Sequence, residues 1–128
     1  MNLIGQIINA MIAYYAGDVR RINHFLKVYG FAKAIGEMEG LDESTQEIIE
    51  IAALTHDIGI KNSEKKYNSS AGNYQQIEGP PEAKKLLAEL GIESGVIDRV
   101  GWLIAHHHTY TDIQGIDYQI LVEADFLV

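Results

Sequence analysis

The sequence predicts an all-α protein: a bundle of about six helices that forms a single domain over residues 1–128. Three observations predict this fold class. Apolar residues recur at intervals of three and four along most of the chain, and no stretch alternates apolar and polar residues as a strand would. Glycine, proline or capping residues separate the periodic stretches. A chain of this length can also bury a proper core.

The first predicted helix covers residues 1–16 and contains no charged residue. Its apolar residues form one stripe at helical spacing: Leu3, Ile4, Ile7, Ile8, Met11, Ile12 and Tyr15. We therefore expect an amphipathic helix that packs on the rest of the domain. It lacks the basic residues of a signal peptide and the lysines of a membrane-surface helix, so no membrane association is expected. Its apolar character is compatible with a homodimer.

Two helices follow, each with a candidate N-cap. The second has Asp18 as its cap and ends at Gly40. Asp42 or Ser44 opens the third, whose apolar period ends at His56. This period places the His56 imidazole on the inward face of the helix.

The next stretch, residues 61–79, has no apolar period and predicts a long polar loop. A fourth helix is predicted from Gly79 to Gly91, with Pro80 and Pro81 in the first turn, where proline is favoured. The fifth and sixth helices are predicted over residues 94–108 and 118–128. The sixth ends on an apolar run without a cap, so we expect a truncated or partly ordered C-terminus.

The composition limits the kinds of site that the chain can build. There is no cysteine, so any metal must be held by His, Asp and Glu. The absence of disulfides agrees with the reducing cytoplasm, where we expect the protein to be located. A formal net charge of −8 argues against general binding to nucleic-acid backbones. A small phosphorylated substrate is still compatible, because a bound cation would supply local positive charge.

The clearest candidates for a chemical role are a histidine and an aspartate side by side in the sequence LTHDIGIK, residues 54–61. At a helix end, His56 and Asp57 can converge on one divalent ion, while Gly59 lets the chain turn away. Such a pair also occurs by chance, so it gains meaning only from further candidate ligands. These are His24, His106, His107, His108 and Asp125.

Each candidate also has a purely structural interpretation. His24 could be a core histidine bonded to a carbonyl, and residues 106–108 could be a surface run at a helix C-terminus, where histidine is favoured. Asp125 could face solvent on an amphipathic helix. Against these readings, the Asp57 carboxylate meets the unfavourable end of a helix dipole, and Asp125 lies in an apolar run where a buried carboxylate needs a partner.

The order His24, then His56-Asp57, then paired histidines, then Asp125 resembles the HD-domain metal-dependent phosphohydrolases over residues 18–128. The resemblance implies an all-α fold and a divalent metal held by these four residues. It implies metal-activated hydrolysis of a phosphate ester of a small molecule, with nucleotides as one candidate class. Phosphomonoesterase and phosphodiesterase activity are both open. The ion could be Mn, Fe, Co, Ni or Zn, with Mg also allowed, and one or two ions fit.

The resemblance also suggests further site residues. In two-metal members of the family Asp57 bridges the ions, and His107 and His108 match the paired histidines that hold the second ion or a phosphate. This chain has Glu78 near the point where those members place another histidine, so Glu78 is expected as an oxygen ligand, an acid–base group or a substrate contact. Lys61 is expected near a substrate phosphate. With Asp57, these two residues make up the expected catalytic set.

Two alternatives share this ligand set. One is a non-catalytic module that binds a metal or nucleotide for sensing or dimerisation, which the missing histidine near Glu78 favours. The other is an oxygenase with a di-iron site. The direction of Glu78 is expected to discriminate, because a side chain that points into the metal cavity favours chemistry and one that points to solvent favours the module. The Gly-Tyr-Pro signature of cyclic-dinucleotide phosphodiesterases is absent from the sequence.

Overall fold

The computed structural model describes residues 2–109 and 115–128, and these form seven α-helices and no β-strand. The helices are α1 (Leu3–Tyr14), α2 (Val19–Met38), α3 (Glu43–Thr55), α4 (Ile60–Tyr67), α5 (Gly72–Glu89), α6 (Ser94–His106) and α7 (Ile116–Phe126). The predicted all-α fold is confirmed. None of these helices has both the length and the apolar character that crossing a bilayer requires.

Helix α3 lies at the centre of the molecule. It packs against α1, α2, α6 and α7, and every residue from 49 to 55 is buried. Residues 51–54 are all apolar, in addition to the periodic positions of the helix, because neighbours cover this end of the helix on several sides. The C-terminal end of α3 therefore delivers His56 and Asp57 to the interior of the bundle.

The caps of α2 and α3 explain where these helices begin. The Asp18 side chain accepts a hydrogen bond from the backbone N–H of Arg21 at 3.2 Å, and the Asp42 side chain accepts one from that of Thr45 at 2.7 Å. Both satisfy an N–H group that has no partner within the helix. Of the two candidates for the start of α3, Asp42 is the cap.

The prediction of a loop over residues 61–79 is wrong. This stretch forms most of α4 and the first turns of α5. It shows no apolar period because α4 buries little more than Ile60 and Ser63, while the facing part of α5 buries Gln75 and Glu78. Polar side chains thus fill an interface where the sequence pattern would require apolar ones.

The predicted start of the fourth helix at Gly79 is also wrong. Helix α5 begins at Gly72, so Pro80 and Pro81 lie in its interior. Neither proline has an N–H group to donate to the carbonyl one turn earlier. The residues before them already have helical partners in α4, and these tertiary contacts outweigh the local preference of proline for a first turn.

An ion pair ties α6 to the start of α7. The Arg99 guanidinium donates from Nε and Nη2 to the two carboxylate oxygens of Asp117, both at 2.7 Å, and Asp117 Oδ1 also accepts from the backbone N–H of Tyr118 at 2.8 Å. Burial raises the pKa of Asp117, but the Arg99 guanidinium outweighs it and leaves this pKa below its ordinary value. The pair therefore stabilises the fold only while Asp117 is ionised.

We expect Asp117→Asn to lower the free energy of unfolding at pH 7 by about 1–3 kcal/mol. The Asp117 pKa is lower in the folded than in the unfolded chain, so its contribution is complete above about pH 4 and is lost as the pH falls further. Urea denaturation at pH 7 and pH 3 should therefore show a smaller difference between variant and wild type at the lower pH. Asp98→Asn, on the exposed face of α6, is the matched control. A difference of equal size at both pH values would contradict this account.

Candidate metal centre

Three helices bring four of the predicted ligands together. His24 comes from α2, Asp125 comes from α7, and His56 and Asp57 follow the last residue of α3. His24 Nε2 lies 3.1 Å from Asp57 Oδ2 and 3.2 Å from Asp125 Oδ1. His56 Nε2 lies 3.2 Å and 3.3 Å from the same two oxygens. Two imidazole nitrogens and two carboxylate oxygens thus converge on one small volume.

A second group shares the Asp57 carboxylate. His107 Nε2 lies 3.6 Å from Asp57 Oδ1, the oxygen that the first group does not contact. Potential ligand atoms of Asp57, His107 and His108 all lie within 4.8 Å of one another, as do those of His24, His56 and Asp57. Asp57 therefore stands between two clusters, each of which could hold a metal ion.

The orientation of two histidines fits such ions. His56 Nδ1 lies 2.7 Å from the carbonyl oxygen of Ala53, and His107 Nδ1 lies 2.6 Å from that of Ile104. Each Nδ1 that donates to a carbonyl oxygen carries a proton, so Nε2 is the nitrogen whose lone pair would be available to an ion. Within the described chain both Nε2 atoms are buried and without a hydrogen-bond partner. A lone pair aimed at a carboxylate is unfavourable unless a cation lies between them, and metal-bound histidines commonly use this arrangement.

The electrostatics of the first group also favour a cation. Hydrogen bonds to Asp125 and Asp57 raise the pKa of His24 to about 9. Burial raises the pKa of Asp57, but His56 and the other neighbouring histidines more than offset this and hold it well below its ordinary value. Burial likewise raises the pKa of Asp125, but His24 and His56 lower it by more, so this pKa also lies below its ordinary value. Burial lowers the pKa of His56, but the same two carboxylates raise it well above its ordinary value. Without an ion the rings carry the positive charge that these carboxylates attract, and a divalent ion would take that place.

Helix α1 helps to fix the backbone at the site. The hydroxyl of Tyr15, which follows α1, donates to the carbonyl oxygen of Asp57 at 2.5 Å. Burial of this hydroxyl raises the pKa of Tyr15. The contact holds the turn after α3 in place and so orients the Asp57 side chain.

The three consecutive histidines separate into two sets. His107 and His108 face Asp57, and their rings lie 3.9 Å apart. His106 turns the other way, since its ring stacks on Trp102 at 4.1 Å and its Nδ1 contacts the Trp102 carbonyl oxygen at 2.7 Å. His106 is therefore the spare member of the run.

Gln75 contacts the second candidate cluster, a contact that the sequence analysis did not predict. Its Oε1 lies 2.9 Å from His108 Nε2, and its Nε2 donates to the carbonyl oxygen of Ser70 at 2.6 Å. The second bond fixes the amide so that its oxygen faces the histidine. Gly72 allows this approach, because a Cβ there would lie 3.0 Å from the His108 side chain. The sequence could have indicated this contact only if α5 had been predicted to begin at Gly72, which would have placed Gln75 on a helix.

Glu78 and Lys61 lie elsewhere. The Glu78 carboxylate accepts from Lys66 Nζ at 2.9 Å and from the Tyr67 hydroxyl at 3.0 Å, and Glu78 belongs to neither cluster of candidate ligands. It is buried, so it points neither into the metal centre nor to solvent, and its direction does not discriminate between enzyme and module. Lys61 Nζ donates to the Tyr14 carbonyl oxygen at 3.1 Å and does not line the cavity at the site.

A cavity of about 650 Å³ opens beside the metal centre. His24 and Asp57 reach it, whereas His56 and His107 are fully buried behind them. Its lining residues are Asp18, Arg20, Arg21, Asn23, His24, Lys27, Asp57 and Val128. A small molecule in this cavity would therefore approach the centre from the side of α2.

Comparison with known proteins identifies the family. The family model of the HD domain matches residues 21–127, which include every candidate ligand named above. No curated protein and no solved structure gives a significant match. HD domains bind divalent metals and are generally metal-dependent phosphohydrolases, and this chain has His and Asp groups that could hold a metal ion. Because the match extends over far more than half of the sequence, the chain belongs to the HD domain family.

Proposed function

We propose that the protein is a metal-dependent phosphohydrolase that cleaves a phosphate ester of a small molecule, with nucleotides as one candidate class. One observation carries this proposal. The buried Nε2 atoms of His56 and His107 have no hydrogen-bond partner in the described chain and face opposite oxygens of the Asp57 carboxylate. Membership of the HD domain family supports hydrolysis of a phosphate ester, because its members are generally metal-dependent phosphohydrolases.

In this proposal His24, His56, Asp57 and Asp125 hold the primary divalent ion. His107 and His108 hold a second ion or contact the phosphate. The bound ion would polarise a phosphoryl oxygen and lower the pKa of a coordinated water toward neutrality. The donor set is compatible with Mn, Fe, Co, Ni, Zn or Mg, and with one or two ions.

The residues of the chain contribute orientation and exclusion of water. Asp57 lies at the edge of the cavity with its side chain 16% exposed, so one oxygen can orient a water against the substrate phosphorus. The fully buried His56 and His107 exclude water from the opposite side. Of the three expected catalytic residues, Asp57 keeps this role, whereas Lys61 and Glu78 are proposed to hold α4 against α1 and α5.

The test is hydrolysis of 4-nitrophenyl phosphate and bis(4-nitrophenyl) phosphate with added Mn, Ni, Co or Zn. We expect hydrolysis that a chelator abolishes and that His24→Ala lowers by at least about 100-fold. His106→Ala is the matched control, since His106 faces Trp102, and it should retain activity. The preferred ester distinguishes a phosphomonoesterase from a phosphodiesterase.

Two other outcomes would replace the proposal. Metal-bound protein that hydrolyses neither ester nor any nucleotide would indicate the non-catalytic binding module. Iron-loaded protein that consumes dioxygen, with no hydrolysis, would indicate the oxygenase.

A further inference from the structure

One face of α2 forms the basic side of the cavity at the metal centre. Arg20, Asn23, His24 and Lys27 all line this cavity. Their spacing of three and four residues places them in one row along the helix. The row extends in both directions from the proposed metal ligand His24.

Three residues with permanently cationic side chains line the cavity, and two of them, both in this row, are not neutralised by the protein. Arg21 is engaged, since its guanidinium pairs with Asp18 at 3.1 Å and also with Glu64. Arg20 and Lys27 form no ion pair with any residue that the structure describes. The cavity is also lined by the carboxylates of Asp18 and Asp57, so Arg20 and Lys27 are two separate unpaired cations rather than a positively charged surface.

The distances along α2 suit a small ligand. With a rise of about 1.5 Å per residue, Arg20 lies roughly 6 Å and Lys27 roughly 4.5 Å from His24 along the helix axis. A group attached to a phosphate at the metal centre can therefore reach either cation through a short linker. A ligand whose remaining part is neutral would leave both cations without a partner.

Building on the proposed function, we propose that the cavity accepts a phosphate ester that carries a second anionic group, which either Arg20 or Lys27 contacts. The second group can be a carboxylate or another phosphate, because both accept charge-assisted hydrogen bonds from guanidinium and ammonium groups. Neither residue is a metal ligand in the proposed site. Their role is selection of the substrate rather than the hydrolytic step.

The experiment compares three phosphonates with the same three-carbon chain, titrated calorimetrically into the metal-loaded protein. Propylphosphonate has one anionic group, 3-phosphonopropionate adds a carboxylate, and 1,3-propanediphosphonate adds a second phosphonate. We expect at least one of the latter two to bind about 3- to 10-fold more tightly than propylphosphonate at low salt. Arg20→Gln combined with Lys27→Gln should abolish this preference, because it should weaken binding of the two ligands that carry a second anionic group more than binding of propylphosphonate.

Lys84→Gln and Lys85→Gln, on the exposed part of α5, form the matched double control and should keep the preference. Which of the two ligands with a second anionic group binds more tightly distinguishes a carboxylate from a second phosphate. Equal affinity for all three phosphonates, or a preference that survives in the Arg20 and Lys27 variant, would overturn the inference.

The two proposals can fail separately. Hydrolysis of simple monoesters without any preference for a ligand with a second anionic group would leave the proposed function standing and refute the inference. A preference that depends on Arg20 and Lys27, in a protein that hydrolyses no ester, would support the anion site and refute the hydrolase.

Discussion

Replacing Gly59 with alanine should destabilise the fold by about 3 kcal/mol. A Cβ atom at this position would lie 2.6 Å from the backbone nitrogen of Gly79 and 2.8 Å from the carbonyl oxygen of Gln75. Both are backbone atoms of α5, so no side-chain rotation can relieve the overlap and the helix itself must move. Urea denaturation followed by far-UV circular dichroism measures the loss.

Gly30→Ala is the control for this prediction. Gly30 lies within α2, and a Cβ there would meet no atom within 4 Å. We expect it to stabilise the protein by up to about 1 kcal/mol, since alanine favours helix over the unfolded chain. A Gly59→Ala variant as stable as the wild type would contradict this prediction. It would show that the backbone at Gly59 does not pack tightly against that at Gly79.

Asp57→Ala is expected to abolish metal retention and to lower kcat/KM for phosphate-ester hydrolysis by at least about 1,000-fold. The Asp57 carboxylate lies 3.1 Å from His24, 3.2 Å from His56 and 3.6 Å from His107, so its removal affects both clusters at once. Metal content by mass spectrometry and the rate of ester hydrolysis are the two measurements.

The control is Asp98→Ala, which removes a carboxylate from the exposed face of α6. It should leave both the metal content and the rate unchanged. Circular dichroism should show that the Asp57 variant still folds, because the core residues of α3 are unaltered. An Asp57→Ala variant that retains stoichiometric metal and activity would contradict the proposed site.

The central features of this protein were predictable because they depend on local pattern. The burial of α3 and the direction of His56 follow from an apolar run that ends at this histidine. The chain also carries its candidate ligands in a characteristic order, and the structure brings His24, Asp57 and Asp125 together. Helical spacing was sufficient for the first of these features, whereas the ligand set followed from the resemblance of this order of residues to HD-domain proteins.

The part around α4 was not predictable in the same way. Its polar residues indicate a loop, and its helical state depends on tertiary partners, such as the bonds of Lys66 and Tyr67 to Glu78. Pro80 then gave a false start for α5, because the preference of proline for a first turn is local while the packing of α4 on α5 is not. Gln75 was missed for this reason.

Gly59 was recognised as special for a reason that the structure does not support. The sequence suggested a residue that lets the chain turn away, yet its φ angle of −74° is accessible to any amino acid. The requirement for glycine comes instead from the close approach of α5. Contacts between segments distant in sequence leave no trace in local pattern.

The metal content of the purified protein tests the central claim most directly. We expect close to one or two equivalents of a transition metal per chain, either as purified or after reconstitution with Mn, Fe, Co, Ni or Zn. A chelator should remove this metal. A protein that is isolated without metal and remains without it after reconstitution would contradict the account. His24, His56, Asp57 and Asp125 would then be an ordinary cluster of hydrogen-bonded histidines and carboxylates.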